Sequence, residues 1–207
     1  MTSPPDAIAH GLAILFPNWI ESSTIVLGLI NIVLIVRRSV WNYPFGIVMV
    51  ILTAIVVFNA RLYSDALLQI FFVVVNVYGW VMWQRSVDQT GEVVVETMTA
   101  AARWYWLGGC LIAIAIWGTI MHKFTDASYP WWDASVAMFS VAAQILMSRR
   151  KLENWVLWIV VNIISIGLYS AKGLIPFAIL YIVFLVLAGW GLVGWNRVRR
   201  AEGPVVA

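Results

Sequence analysis

An all-α membrane protein is the fold class this sequence predicts: seven transmembrane helices, set out as two parallel three-helix repeats plus a linker helix, a 3+1+3 layout. Three observations predict it. Of the 207 residues, 62% are hydrophobic and 11% charged, with a mean hydropathy of +0.88; a soluble domain carries about 25% charged residues. The chain also repeats itself without a gap, Arg37-Arg38 recurring 112 residues later as Arg149-Arg150. Finally, the basic residues fall unevenly on the two sides of the apolar runs. Those runs are continuous and lack in–out alternation, which selects helices over a barrel.

The elements follow in order. Apolar Ile8 to Phe16 is too short to span, and no basic leader precedes it, so it reads as an interfacial or packed segment, not a signal peptide. The spans then run Ser22–Val36, Tyr43–Ala60, Ser64–Trp83, Trp104–Met121, Trp132–Met147, Trp155–Ser170 and Leu174–Trp195. Most approach the 17 to 25 residues a spanning helix needs. Between the third and fourth, Arg85–Arg103 carries Asp88, Glu92 and Glu96 and reads as a plain solvent-facing connection. The single cysteine, Cys110, excludes an intramolecular disulfide and reads as a buried apolar residue.

Following the chain across the bilayer, Arg37, Arg38, Arg85, Arg103, Arg149, Arg150, Lys151, Arg197, Arg199 and Arg200 share one side, and Arg61, Lys123 and Lys172 the other. Positive residues mark the cytoplasmic face, so the N-terminus is expected outside and the C-terminus in the cytoplasm. The Arg pairs read as topology signals and headgroup contacts. No basic cluster sits on a nucleic-acid fold.

The 112-residue frame pairs Ser23 with Ser135, Asn42 with Asn154, Gly79 with Gly191 and Trp83 with Trp195. Its period holds four helices. Three form a repeat, and the fourth, being one more crossing, restores the orientation of the second, so the repeats are parallel. The expected divisions are 1–21 as an external or interfacial segment, 22–84 and 132–196 as the repeats, 85–131 as loop and linker helix, and 197–207 as a cytoplasmic tail. Internal repeats in so apolar a chain point to a transporter.

Polar groups at membrane depth are the informative ones, because each must be paired or wet. In the sixth helix Trp155, Trp158, Asn162, Ser165 and Tyr169 recur at helical spacing and share a face. In the third, Gln69, Asn76 and Trp83 are seven apart. Such faces make a pocket of aromatic walls and a few amides, suited to a flat heterocycle with a polar tail. The candidates for substrate contact are Trp155, Trp158, Asn162, Tyr169, Gln69 and Asn76. The competing readings are interhelical hydrogen bonds for the amides and interface belts for Trp80, Trp83, Trp190 and Trp195. The halves differ where the candidates lie: Val50 stands opposite Asn162, Tyr181 opposite Gln69 and Ala188 opposite Asn76. Asp65, Asp133 and Glu153 sit near helix starts, where the dipole favours a carboxylate.

The run Tyr63-Ser64-Asp65-Ala66-Leu67-Leu68-Gln69, the ending Tyr78-Gly79-Trp80 with Trp83, and Trp155-x-x-Trp158-x-x-x-Asn162 resemble the PnuC family of vitamin transporters over about Ser22 to Trp195. The 3+1+3 layout itself is similar to that of the SWEET sugar carriers. The PnuC resemblance implies import of nicotinamide riboside by facilitated diffusion across a bacterial inner membrane, with thiamine or riboflavin as alternative cargo. It implies a homotrimer and a functional link to a cytoplasmic kinase that traps the product. A quaternary nitrogen in an aromatic ring suits Trp and Tyr faces, by about 2 kcal/mol where water is excluded. No carboxylate lies in mid-membrane, which is consistent with an uncoupled carrier. A vitamin-binding subunit of an ABC-type importer is the alternative of another class. No cofactor, metal or enzymatic activity is expected: the two histidines, His10 and His122, have no ligand set around them, and no phosphate loop or nucleophile elbow is present.

Overall fold

The computed structural model describes residues 19–59, 63–125 and 129–202. Among them are seven helices: α1 (Trp19–Val36), α2 (Asn42–Asn59), α3 (Tyr63–Thr90), α4 (Ala100–Phe124), α5 (Pro130–Ser148), α6 (Glu153–Ala171) and α7 (Ile175–Glu202). The protein is therefore all-helical, apart from one isolated bridge between Glu96 and Lys151. Ala100–Phe124, Glu153–Ala171 and Phe177–Ala201 are each long and apolar enough to cross a membrane, and Ser22–Val36 and Asn42–Val56 are shorter apolar helices. The expected segment at Ile8–Phe16 lies outside the described residues. Helices α3 and α7 continue past their apolar stretches into polar sequence. Hydropathy marks only where the bilayer ends, whereas α3 runs on until Gly91 takes a left-handed φ of 82°.

The described chain separates into two compact units, Met1–Arg85 and Ser86–Ala207. In the first, α1 ends in a left-handed cap on Arg38 (φ 56°). The Ser39 amide donates to Leu34 O and the Arg38 amide to Ile35 O, the paired bonds of a Schellman turn. Asn42 then closes the turn, its Nδ2 donating to Ser39 O at 2.8 Å. Tyr43 meets Trp83 edge-on at 5.3 Å and packs over Gly79, where a Cβ would lie 2.6 Å from its ring.

The second unit repeats these contacts 112 residues on. Arg150 (φ 58°) caps α5, with Lys151 N donating to Leu146 O and Arg150 N to Met147 O. Asn154 Nδ2 donates to Lys151 O at 2.6 Å. Trp155 meets Trp195 edge-on at 5.6 Å and packs over Gly191. These contacts explain which polar residues recur in the sequence: they build a non-helical turn that apolar residues cannot close. The second arginine of each pair is thus a backbone cap, a role the charge pattern did not reveal. Trp83 and Trp195, expected as interface belts, are fully buried, each set edge-on against the ring, Tyr43 or Trp155, that packs over a glycine. Trp80 and Trp190 are exposed, as a belt requires.

The connection 91–99 is not the plain solvent-facing loop expected. Val93 and Val95 are buried. Glu96 N donates to Arg150 O and Leu152 N to Glu96 O, while the Glu96 carboxylate takes Arg150 Nη2 at 2.6 Å and Lys151 Nζ at 2.8 Å. Burial on its own would push this carboxyl up; the hydrogen bonds and charges of Lys151 and Arg150 outweigh it and hold the carboxyl below its ordinary range. Glu153 accepts from the Met98 amide at 3.1 and 3.2 Å and pairs with Arg103 at 2.9 Å. Its carboxylate, expected to serve the helix dipole, ties the strap to α6. At the other end of the unit Lys172 reaches Asp133 at 3.4 Å.

Candidate substrate-binding site

Helix α6 carries most of the candidate residues. Its 3.6-residue period puts Trp155, Trp158, Asn162, Ser165 and Tyr169 on one stripe, and the structure grades that stripe by depth. Trp155 is buried against Trp195 and Gly191, within helix packing. Trp158 is half-buried one turn further on. Asn162 follows, only 4% exposed, and its carboxamide makes no hydrogen bond among the described residues. Ser165 is fully buried.

The contrast with the other amides is sharp. Asn31 Nδ2 donates to Asn42 O at 2.5 Å, Asn76 Nδ2 to Phe72 O at 2.8 Å, and Asn42 and Asn154 close their turns. Those are structural bonds. Asn162 alone among these asparagines is buried in the middle of a helix without one. Nor does the fold require a polar group there: Val50, its counterpart in the first unit, is equally buried at 4%. The Asn162 carboxamide is not among the fully occluded unpartnered groups, so a ligand offering complementary groups could reach it.

Beyond Asn162 the stripe meets an aromatic stack. Tyr169 lies parallel to Phe177 (5.6 Å, 23°) and to Tyr181 (5.2 Å, 19°), which come from successive turns of α7. Phe184 meets Tyr181 edge-on at 5.8 Å. The Tyr181 hydroxyl faces those of Tyr169 and Ser165. The sequence stripe on α6 contained Tyr169 but not its partners. The signal for Tyr181 was present in its mismatch with Gln69 across the repeat, but only the packing of α7 on α6 brings it against Tyr169.

The first unit places its candidates differently. Gln69 borders an apolar cleft of about 570 Å³ with Ile51, Phe58 and Val73. Asn76 is buried beside Asn31, both amides packed against Gly46. A second cleft, of about 360 Å³, lies between α4 and α6 and is lined by Trp106, Phe139 and the Arg103–Glu153 pair, away from the stripe. Among the described residues no group of three His, Cys, Asp or Glu converges. The α6 site is thus aromatic, with amide and hydroxyl groups and no formal charge between Glu153 and Lys172.

Comparison with known proteins bears on the family. The family model described as "Nicotinamide mononucleotide transporter" matches residues 18–197. The nicotinamide riboside transporter PnuC of Escherichia coli K12 is 28% identical, over 90% of this chain and 88% of its own length. The riboflavin/roseoflavin transporter RibM of Streptomyces davaonensis is 30% identical, over 91% and 90%. The crystal structure of the vitamin B3 transporter PnuC superposes with a TM-score of 0.74 at 25% identity, covering 95% of this chain and 89% of that one. A match spanning most of the chain, borne by a multi-pass apolar helical protein, decides the family: the chain belongs to the nicotinamide mononucleotide transporter family, the PnuC family of membrane vitamin transporters.

Proposed function

We propose that this protein imports nicotinamide riboside by facilitated diffusion, and that the α6 stripe binds it. The observation that carries the reading is the mid-helix carboxamide of Asn162, which makes no hydrogen bond to a described residue and is not fully occluded. Trp158 stands one turn before it and the Tyr169–Tyr181 stack two turns beyond. The riboside's pyridinium is a cation in a flat ring, which aromatic faces attract. Its carboxamide and ribose offer the donors and acceptors that Asn162 lacks. The absence of Lys and Arg from this stretch of α6 argues against a phosphorylated cargo, since a phosphate dianion needs cationic partners. Trp155 and Asn76 hold the helices in this reading, and Gln69 contacts the substrate along its path.

The reading extends to architecture. The duplicated Schellman caps, Asn closures and ring-over-glycine contacts support two parallel three-helix repeats joined by α4. The arginine distribution supports a cytoplasmic C-terminus in a bacterial inner membrane. By resemblance the protein is a homotrimer whose product is trapped by a cytoplasmic kinase. Riboflavin is the second reading, favoured by the 30% identical relative named for it.

Titration calorimetry of the purified protein with nicotinamide riboside, riboflavin and thiamine tests the cargo. Binding of the riboside, weakened about ten- to a hundredfold in Asn162→Leu, is expected. Tight riboflavin binding with none of the riboside overturns the cargo assignment. Unchanged affinity in a folded Asn162→Leu moves the site off α6.

A further inference from the structure

The two units fill one equivalent space with different residues. In the first, Gly46 on α2 sits between α1 and α3. A Cβ there would lie 2.9 Å from Asn31 Nδ2 and 3.1 Å from Asn76 Oδ1. Two amide side chains therefore occupy the volume in which a side chain at position 46 would begin. In the second unit the same three positions read Trp158, Ala143 and Ala188. Glycine has become the largest side chain, and both asparagines have become alanine. Ala143 and Ala188 are buried. The surrounding frame is unchanged, with left-handed caps at Arg38 and Arg150 and edge-on ring pairs over Gly79 and Gly191.

In an unchanged frame a side chain can leave position 158 only if its neighbours at 143 and 188 stop at Cβ. Interiors are close-packed, so such exchanges of volume come as sets. We propose that Ala143 and Ala188 are positioning residues for Trp158: they form the notch that seats the base of its indole and so fix the aromatic face it offers beside Asn162. The inference rests on the reading of Trp158 as a wall of the substrate site. It also explains why the polar triad Asn31–Gly46–Asn76 belongs to the first unit alone: there it fills the notch, and no wall is built.

The test transplants the triad. Ala143→Asn with Ala188→Asn should lower the melting temperature of the full-length protein and weaken nicotinamide riboside binding at least tenfold. Adding Trp158→Gly should restore the melting temperature but not the binding. A specific readout separates positioning from general damage. In the double variant, affinity for the cationic riboside should fall several-fold more than for the dihydro riboside, whose ring is uncharged. Parent-like riboside binding in the double variant overturns the proposal, as does a triple variant no more stable than the double. If Trp158→Ala alone binds the riboside normally, the substrate reading of Trp158 fails, whereas thermal recovery in the triple variant still decides whether the notch exists.

Discussion

Asn162 lies mid-helix at 4% exposure, and no hydrogen bond joins its carboxamide to a described residue. The first unit has Val50 at the equivalent place, which suggests a substitution whose effects on stability and binding have opposite signs. Asn162→Val should raise the melting temperature while reducing substrate affinity about ten- to a hundredfold. A structural hydrogen bond at this position would make stability and affinity fall together. Trp195 supplies the converse case. As an interface anchor it would tolerate Trp195→Phe. Fully buried and edge-on to Trp155, it should instead lose about 1–3 kcal/mol in that variant through the cavity left behind. Thermal denaturation in detergent measures both. The sequence showed that these residues were special, because Asn162 breaks the repeat and Trp195 keeps it. It did not show depth: a tryptophan near a helix end has the same local pattern whether it faces headgroups or another buried ring.

At the scale of elements, the strap 91–99 joins the foot of α4 to the α5–α6 turn through Glu96 and Glu153. The first unit has Ser39 and Trp41 where the second has Lys151 and Glu153, so the duplicated turn lacks the residues that bind a strap. The carboxyl of Glu96 is held below its ordinary range. Its contribution to stability is therefore present above the unfolded value, near 4.5, and is lost as pH falls through the lower folded value. Melting temperatures of the parent should decline more steeply below about pH 4.5 than those of Glu96→Gln, which should start lower at neutral pH. Parallel curves would mean that the ion pairs contribute nothing. None of this strap was legible in the sequence. Glu96 and Arg150 are 54 residues apart, and no local pattern predicts an extended segment that docks on a distant turn.

At the scale of the whole molecule, charge and chemistry of the lining decide orientation and mode. In a Cys110→Ala background, a single cysteine at Ser39 should react only from the cytoplasmic side, and labelling from outside would reverse the proposed topology. Since α6 carries no ionisable group in its middle, uptake into liposomes should follow the substrate gradient alone. Accumulation that tracks an imposed proton or sodium gradient would end the uniport reading.

The sequence by itself determined the membrane class, the order of the helices and the 112-residue duplication. Apolar runs, arginine placement and an ungapped repeat are local or periodic properties, so they survive without coordinates. Tertiary structure alone decided which arginines cap helices, which tryptophans are buried and which asparagine stays unpaired. Those outcomes depend on what surrounds each side chain: glycine beneath a ring, a second ring edge-on to the first, a carbonyl within reach of one amide and not of another. Asn42 and Asn162 are the same residue in composition, but the turn at Ser39 supplies a carbonyl to the first and the described fold offers none to the second.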